Sequence, residues 1–332
     1  MIYGVLRWIT GIALHWFYGD IRVVGKENIP TRGPLLIAVN HQNALVDSLI
    51  VGWVVPRRIA MTAKATLADN PLIAFFFRIL HVVPLRRVSD EARKSNGSPS
   101  PSPSPSPVDR SRNREAFREI IDLLHRNGAV LIFPEGKSHN EFGLEPLKTG
   151  LARLALQARD EGATKGIRIL PLALVFEDKG VPGTIVGARI GEAIEMDAWA
   201  GADHTALTEE IADRLRAVSE AVGLPPRRHD SHEQNRDSVT ERLIAVAAWW
   251  GRLTHRTPVR IARNMAVSRS TNADEPAMLT ILFGIGLVLL TYVIQLTIVG
   301  VLAHSIWIGC IYLVGLLAGA YWAAFEQHPR RY

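Results

Sequence analysis

Apolar positions fall into three patterns along this chain. From Ala277 to Phe325 there are 49 residues without Asp, Glu, Lys or Arg. As one helix this run would extend about 73 Å at 1.5 Å per residue, more than twice the roughly 30 Å hydrocarbon core of a bilayer. Two spans joined by a turn suit it better, and Gly300, His304 and Ser305 place that turn near 300–305. Arg256, Arg260, Arg263 and Arg269 precede the run, and Arg330 and Arg331 follow it. Basic residues at both ends put both ends in the cytoplasm. A buried helical hairpin of a soluble protein is the alternative. Cys310 lies in the second span, where packing is its expected role.

A second pattern occupies Met1 to Tyr18, apolar apart from Arg7, Thr10, His15 and small residues. The segment is short for a span, and no small-residue cleavage site follows it. Trp8, Trp16, Phe17 and Tyr18 suit a headgroup boundary, so the segment reads as a helix lying in the interface. An amphipathic helix packed on its own domain is the competing reading.

Between these two, short apolar runs alternate with helical periodicity. Strands are expected at Ile21–Val24, Leu35–Val39, Val82–Leu85, Ala129–Phe133 and Ile167–Phe176, with short ones near Thr184–Val186 and Ala188–Ile190. Helices are expected at Leu72–Leu80, Arg114–His125, Gly150–Arg159, Thr205–Val222 and Ser238–Arg256. Such alternation points to an α/β fold with a mixed sheet flanked by helices. The stretch from Ser98 to Pro107 alternates Ser and Pro and cannot build a core. The expected organisation is an N-terminal interfacial helix over 1–20, an α/β domain over 21–225 with a flexible loop at 95–108, a linker and helix over 226–275, and a transmembrane hairpin over 276–326.

Composition narrows the chemistry. The 332 residues include one Cys, which excludes a disulfide framework and any multi-Cys metal cluster. The formal charge of +6 is not arranged as a basic stripe with interleaved aromatics, so nucleic acid is not an expected partner. Attraction to anionic lipid and acidic substrates accounts for the charge more simply.

Two polar clusters follow apolar strands. One is Asn40-His41-Gln42-Asn43-Ala44-Leu45-Val46-Asp47. A neutral His is the usual general base near pH 7, and a carboxylate can fix its tautomer and stabilise the imidazolium. On one regular helix these two would point about 120° apart and sit about 9 Å apart along the axis. They can meet only if His41 lies in a turn and Asp47 on the helix after it. The other cluster is Phe133-Pro134-Glu135-Gly136-Lys137-Ser138-His139, where Gly136 permits close backbone approach and Lys137 and Ser138 can bind an anionic oxygen. Between them, Arg86 and Arg87 follow Val83-Pro84-Leu85, and arginine forks match phosphate geometry. Nothing at these spacings suggests a metal site. Taken singly, each cluster also reads as ordinary loop or helix-cap chemistry.

Together, His41…Asp47, Pro84…Arg87, Phe133–Ser138 and the later strand proline Pro171 resemble the ordered motifs of the glycerol-3-phosphate and lysophospholipid acyltransferase superfamily. The approach segment Glu27–Pro34 is similar too, and the resemblance covers roughly residues 20–192. Two features depart from the common pattern. Five residues rather than four separate His41 from Asp47, and Lys137-Ser138-His139 stand where Thr-Arg-Ser is usual. Both look like a subgroup related to dual-substrate glycerol-3-phosphate and dihydroxyacetone-phosphate acyltransferases.

The resemblance implies a membrane-bound O-acyltransferase of phospholipid synthesis with no cofactor and no metal. Acyl-CoA or acyl carrier protein would be co-substrate, and glycerol 3-phosphate or a lysophospholipid the acceptor. His41 would be the base, Asp47 its orienting partner and Arg87 the phosphate ligand beside Arg86. Glu135 and Gly136 would belong to the acceptor site, with Lys137, Ser138 and Lys148 weaker candidates. The catalytic domain would face the cytoplasm, on the bilayer surface. A catalytically silent lipid-binding module on the same fold and an acyl hydrolase are the alternatives, although no Gly-x-Ser-x-Gly nucleophile motif is present.

Overall fold

The computed structural model describes residues 2–64, 82–85, 107–138, 143–160, 164–220, 238–270 and 275–325. The apolar run Leu35–Val39 forms β2, buried along its whole length because it lies mid-sheet. It pairs in parallel with β5 (Ala129–Ile132) on one side and with β6 (Arg168–Phe176) on the other. Beyond β5 come β3 (Ile59–Lys64) and then β4 (Val82–Leu85), all parallel. On the other flank β6 pairs antiparallel with β7 (Ile185–Ile190), and β7 pairs in parallel with β1 (Asp20–Val24). The two-residue β8 (Ile194–Glu195) pairs antiparallel with the start of β6. Among the described residues these eight strands make one mixed sheet, seven of them in the order β1-β7-β6-β2-β5-β3-β4 with β8 beside β6 off that path.

Successive side chains of a strand point to opposite faces, and β2 divides its residues accordingly. Leu35, Ile37 and Val39 join a cluster with Leu14 and Phe17 of α1 (Ile2–Phe17), Tyr18, and Val46 and Ile50 of α2 (Ala44–Val54). Leu36 and Ala38 face Ile120 and Leu124 of α3 (Pro107–His125), Leu151 and Leu154 of α4 (Gly150–Asp160), and Leu207 and Ile211 of α5 (His204–Ser219). Each Leu, Ile, Val or Phe among them contributes about 1.5–3 kcal/mol by leaving water. Asp203 caps α5, its carboxylate accepting from the Thr205 N–H at 2.8 Å.

The C-terminal part is a three-helix arrangement. α6 (Ser238–Arg269) lies along α7 (Glu275–Ala303) and α8 (Ile306–Phe325). Pro276–Ala303 and Ile306–Ala324 are long and apolar enough to cross a membrane, with mean hydropathies of 2.4 and 1.7. Their outer residues Leu302, Ile306, Trp307 and Ile311 are exposed, a surface suited to lipid rather than water. His255 of α6 donates from Nδ1 to the Gly251 carbonyl at 2.8 Å, which leaves Nε2 to accept from the Tyr292 hydroxyl at 2.6 Å. The root of α7 continues inward, where Ala277 and Ile281 join the same apolar cluster as β2.

Several elements differ from the sequence expectation. Phe17 and Tyr18, expected at a headgroup boundary, are buried in that cluster. α1 packs against α2, α7 and α8, with Trp16 Nε1 donating to the Ala320 carbonyl at 3.3 Å. Thr184–Val186 and Ala188–Ile190 are not two strands: Ile185–Ile190 is continuous, because Gly187 keeps its ladder partners Arg22 and Val175. α6 runs past Arg256 to Arg269 with Pro258 inside it, since Ala262 and Ala266 pack inward beyond the proline. Pro107, expected in the Ser/Pro loop, is the first residue of α3, a position where its missing N–H costs nothing. The hairpin turn narrows to His304 and Ser305. α2 and β3 were not distinguished in the sequence. The expected helix Leu72–Leu80, loop residues 95–106 and linker residues 226–237 lie outside the described residues.

Candidate active site

β6, β2 and β5 are parallel neighbours, so the segments leaving their carboxyl ends emerge on one edge of the sheet, where ligands of α/β proteins bind. β2 delivers Asn40 and His41, β5 delivers Phe133–Glu135, and β6 delivers Lys179. β4 ends on the same edge; Arg86 and Arg87, which follow it, lie outside the described residues.

His41 lies in a turn and Asp47 in the first turn of α2, and their side chains meet with Nδ1 to Oδ2 at 3.0 Å. The backbone between them makes a sharp step: Ala44 holds φ at 44°, in the left-handed region that alanine seldom enters. Asp47 Oδ2 also accepts from the Gln42 and Asn43 N–H groups at 2.8 and 2.7 Å, while Oδ1 is buried with no partner among the described residues. A carboxylate so placed fixes the imidazole with its proton on Nδ1, leaving the Nε2 lone pair to take a proton. The His41 ring stacks on Phe133 with centroids 3.9 Å apart and planes 15° apart.

Glu135 is 1% exposed, and its Oε1 accepts the His41 backbone N–H at 3.0 Å. It thus ties the β5 exit to the turn that carries His41. Gly136 has φ of 79° and closes the turn through its N–H to the Phe133 carbonyl at 3.1 Å. A Cβ there would be strained by that conformation and would meet Lys148 Cγ at 3.4 Å. Ser138 Oγ accepts the Ala44 N–H at 3.2 Å and so caps α2. Lys137 points its ammonium to Glu145 at 3.0 Å and is exposed. Lys148 reaches this loop through its backbone, donating to the Pro134 carbonyl at 2.7 Å. The structure therefore gathers His41, Asp47, Glu135, Gly136 and Ser138, and sets Lys137 at the margin.

Other residues complete the site. Asn40 locks the β2 exit to β6, donating from Nδ2 to the Leu174 carbonyl at 2.9 Å and accepting its N–H at 2.7 Å. Asn43 Nδ2 donates to the Tyr18 hydroxyl at 2.8 Å and to the Lys179 carbonyl at 3.2 Å. Lys179 Nζ donates to the Gln42 carbonyl at 2.6 Å. Burial, and secondarily the charge of Asp47, pushes the Tyr18 phenol well above its ordinary pKa, so it stays protonated. Among the described residues no group of His, Cys, Asp and Glu is arranged to hold a metal ion.

The fold thus carries a buried imidazole–carboxylate pair on the carboxyl edge of a mixed sheet, an arrangement that can move a proton. Comparison with known proteins places it further. The Acyltransferase family model matches residues 20–175. The chain is 30% identical over 208 residues to the 1-acyl-sn-glycerol-3-phosphate acyltransferase of Bacillus subtilis, covering 60% of this chain and 88% of that protein. It is 32% identical over 103 residues to glycerol-3-phosphate O-acyltransferase 2 of Saccharomyces cerevisiae, covering 31% of this chain and 14% of that one. A crystal structure of the 1-acyl-sn-glycerophosphate acyltransferase PlsC from Thermotoga maritima aligns with a TM-score of 0.49 at 21% identity, over 67% of this chain and 82% of that one. The chain belongs to the acyltransferase family that includes glycerol-3-phosphate and 1-acylglycerol-3-phosphate acyltransferases. It spans less than half the length of several curated relatives, 14% of the yeast protein and 46% of a Limnanthes douglasii one.

Proposed function

We propose that this protein is a membrane-bound O-acyltransferase of glycerolipid synthesis. It moves a fatty acyl group from acyl-CoA or acyl carrier protein to glycerol 3-phosphate or 1-acylglycerol 3-phosphate. The observation that carries this reading is the buried His41–Asp47 pair, 3.0 Å apart and braced by Glu135. The relatives' named activities support the substrate class.

In the proposed reaction His41 Nε2 takes the proton of the acceptor hydroxyl as its oxygen attacks the thioester carbonyl carbon. The tetrahedral adduct collapses with cleavage of the C–S bond, and the leaving thiolate recovers the proton from the imidazolium. Asp47 holds the ring and offsets the charge that His41 gains. No covalent acyl-enzyme is required. Arg87, with Arg86, is assigned the acceptor phosphate, since β4 ends on the same sheet edge. The two apolar helices suit an enzyme whose acyl chains and product partition into lipid, with the catalytic domain on the cytoplasmic face.

The test is acyl transfer in membranes carrying the protein, with labelled palmitoyl-CoA or palmitoyl carrier protein. Glycerol 3-phosphate, lysophosphatidate and lysophosphatidylcholine are offered in parallel. A positioned base contributes about 10²–10⁴-fold, so His41→Ala should lose at least 99% of the rate. Wild type inert on every donor and acceptor would sink the reading in favour of a silent lipid-binding module. Release of free fatty acid without an acceptor would identify a hydrolase instead.

A further inference from the structure

The turn that carries His41 is held by residues outside the family's motifs, and the way Asn43 is used reveals it. Asn43 occupies the N-cap position of α2, where asparagine normally accepts a backbone N–H of the first turn. It makes no such bond. The Val46 N–H goes to the Asn43 carbonyl at 2.9 Å, Ser138 Oγ takes the Ala44 N–H, and Asp47 Oδ2 takes those of Gln42 and Asn43, so the Asn43 amide points elsewhere. It donates instead to the fully buried Tyr18 hydroxyl and to the Lys179 carbonyl. The circuit then closes on itself. Tyr18 donates its own proton to the Lys179 carbonyl at 3.2 Å, and the Lys179 ammonium returns to the Gln42 carbonyl at 2.6 Å. Three separate stretches of chain, the end of α1, the 40–44 turn and the connection after β6, meet in this one knot.

We infer that Tyr18 and Lys179 are positioning residues for the base, clamping the turn between His41 and Asp47 from the side opposite Glu135. The inference rests on the acyl-transfer reading for its catalytic half. Its geometric half stands on the bonds alone. Because the turn contains a left-handed Ala44, its backbone has a reason to relax once the clamp is removed. Tyr18 in turn follows directly on α1, which Trp16 fastens to α8. The clamp therefore links the base to the helices that meet the membrane.

The test compares full-length wild type with Tyr18→Phe and Lys179→Met. Tyr18→Phe deletes one oxygen and keeps the ring; Lys179→Met keeps the side-chain length and is the second variant should the first fold poorly. Each should lower kcat about tenfold with KM for donor and acceptor within about twofold, the size of one lost positioning hydrogen bond. Amide hydrogen exchange should accelerate in the peptide spanning 40–47 and stay unchanged in β6 and α4, with melting temperature preserved. Unchanged exchange at 40–47, or faster exchange with wild-type kcat, overturns the inference, as does a fall in kcat that only tracks a fall in melting temperature. Wild type without any acyl transfer would refute the reaction assigned above, and exchange would still decide whether Tyr18 and Lys179 hold the turn.

Discussion

The Asn43 backbone N–H lies 2.7 Å from Asp47 Oδ2, the shortest of three bonds that this single oxygen accepts from residues 41–43. Asp47 therefore has two separable duties. It holds the peptide turn through two N–H groups, and it holds the imidazole through Nδ1.

Substitution separates these duties. Asp47→Asn keeps an oxygen for the turn but loses the charge that stabilises imidazolium, so the protein should stay folded while kcat falls about 10²-fold or more. Asp47→Ala leaves the buried Asn43 N–H unpaired, at about 1–3 kcal/mol, and the half-buried Gln42 N–H as well. It should be inactive and also melt at markedly lower temperature. Equal melting of the two variants would show that the turn does not depend on Asp47.

Ala44 offers a second check, on the strain of the turn. Its φ of 44° costs an L-residue about 1–2 kcal/mol, whereas glycine adopts it freely. Glycine gives back about 0.5–1 kcal/mol through its greater freedom when unfolded. Ala44→Gly should thus leave stability within about 1 kcal/mol of wild type, or slightly above. Ala44→Val, branched at Cβ, should cost about 1–3 kcal/mol. Thermal melts of the three proteins in the same detergent decide the matter; Val equal to Gly would mean the turn is not left-handed in solution.

The sequence made part of this site readable. Val39 ends an unbroken apolar run and Asn40 breaks it, so the strand end, and the need for His41 to sit in a turn, followed from residue types and spacing. Glu135 was legible for the same reason, after Ala129–Ile132. Lys179 was not, because its place beside His41 depends on β6 lying next to β2, and the order of strands in a sheet leaves no local mark. Tyr18 was misplaced because aromatic residues ending an apolar helix look alike at a lipid surface and in a core. Gly187 looked like a strand break, yet its backbone pairs on both sides. The expected helix ended at Arg256, two residues before Pro258, yet packing carries α6 on to Arg269.

His15 predicts a response to acid. It is buried in α1, its Nδ1 bonded to the Gly11 carbonyl at 2.8 Å and its ring edge-on to Trp53. Burial lowers its pKa below the ordinary value of 6.5, with the Gly11 bond opposing in part. As pH drops through 6.5 the unfolded chain takes up a proton that the folded chain refuses, so stability is present above that pH and declines below it. Melting temperature should therefore fall between about pH 7.5 and 5.5, and less so in His15→Gln. Identical pH profiles for the two proteins would exclude His15 as a source of the decline.

Gly251 and Gly319 test the helical arrangement. A Cβ on Gly251 would overlap the Gly319 carbonyl, and one on Gly319 would come within 3.0 Å of Gly251 Cα. Gly251→Leu should push α6 from α8 and lower stability by about 1–3 kcal/mol, as overpacking does. Gly286→Leu, with open space around it, should change stability by less than about 0.5 kcal/mol. Denaturant melts in lipid nanodiscs compare the two, and equal effects would refute the close crossing.

Ala277 and Ile281, at the root of α7, share one apolar cluster with Leu35, Ile37, Val46 and Phe17. The interior behind His41 is thus finished by the last fifth of the chain rather than by the domain itself. During synthesis the residues that form the sheet emerge first and wait, their α1 and α2 face uncovered, until the hairpin has been delivered. A copy whose hairpin has not docked keeps His41 and Asp47 but has an unsealed wall behind them. A shortened, soluble version made by cutting ahead of residue 275 would inherit that open wall, and with it a tendency to aggregate.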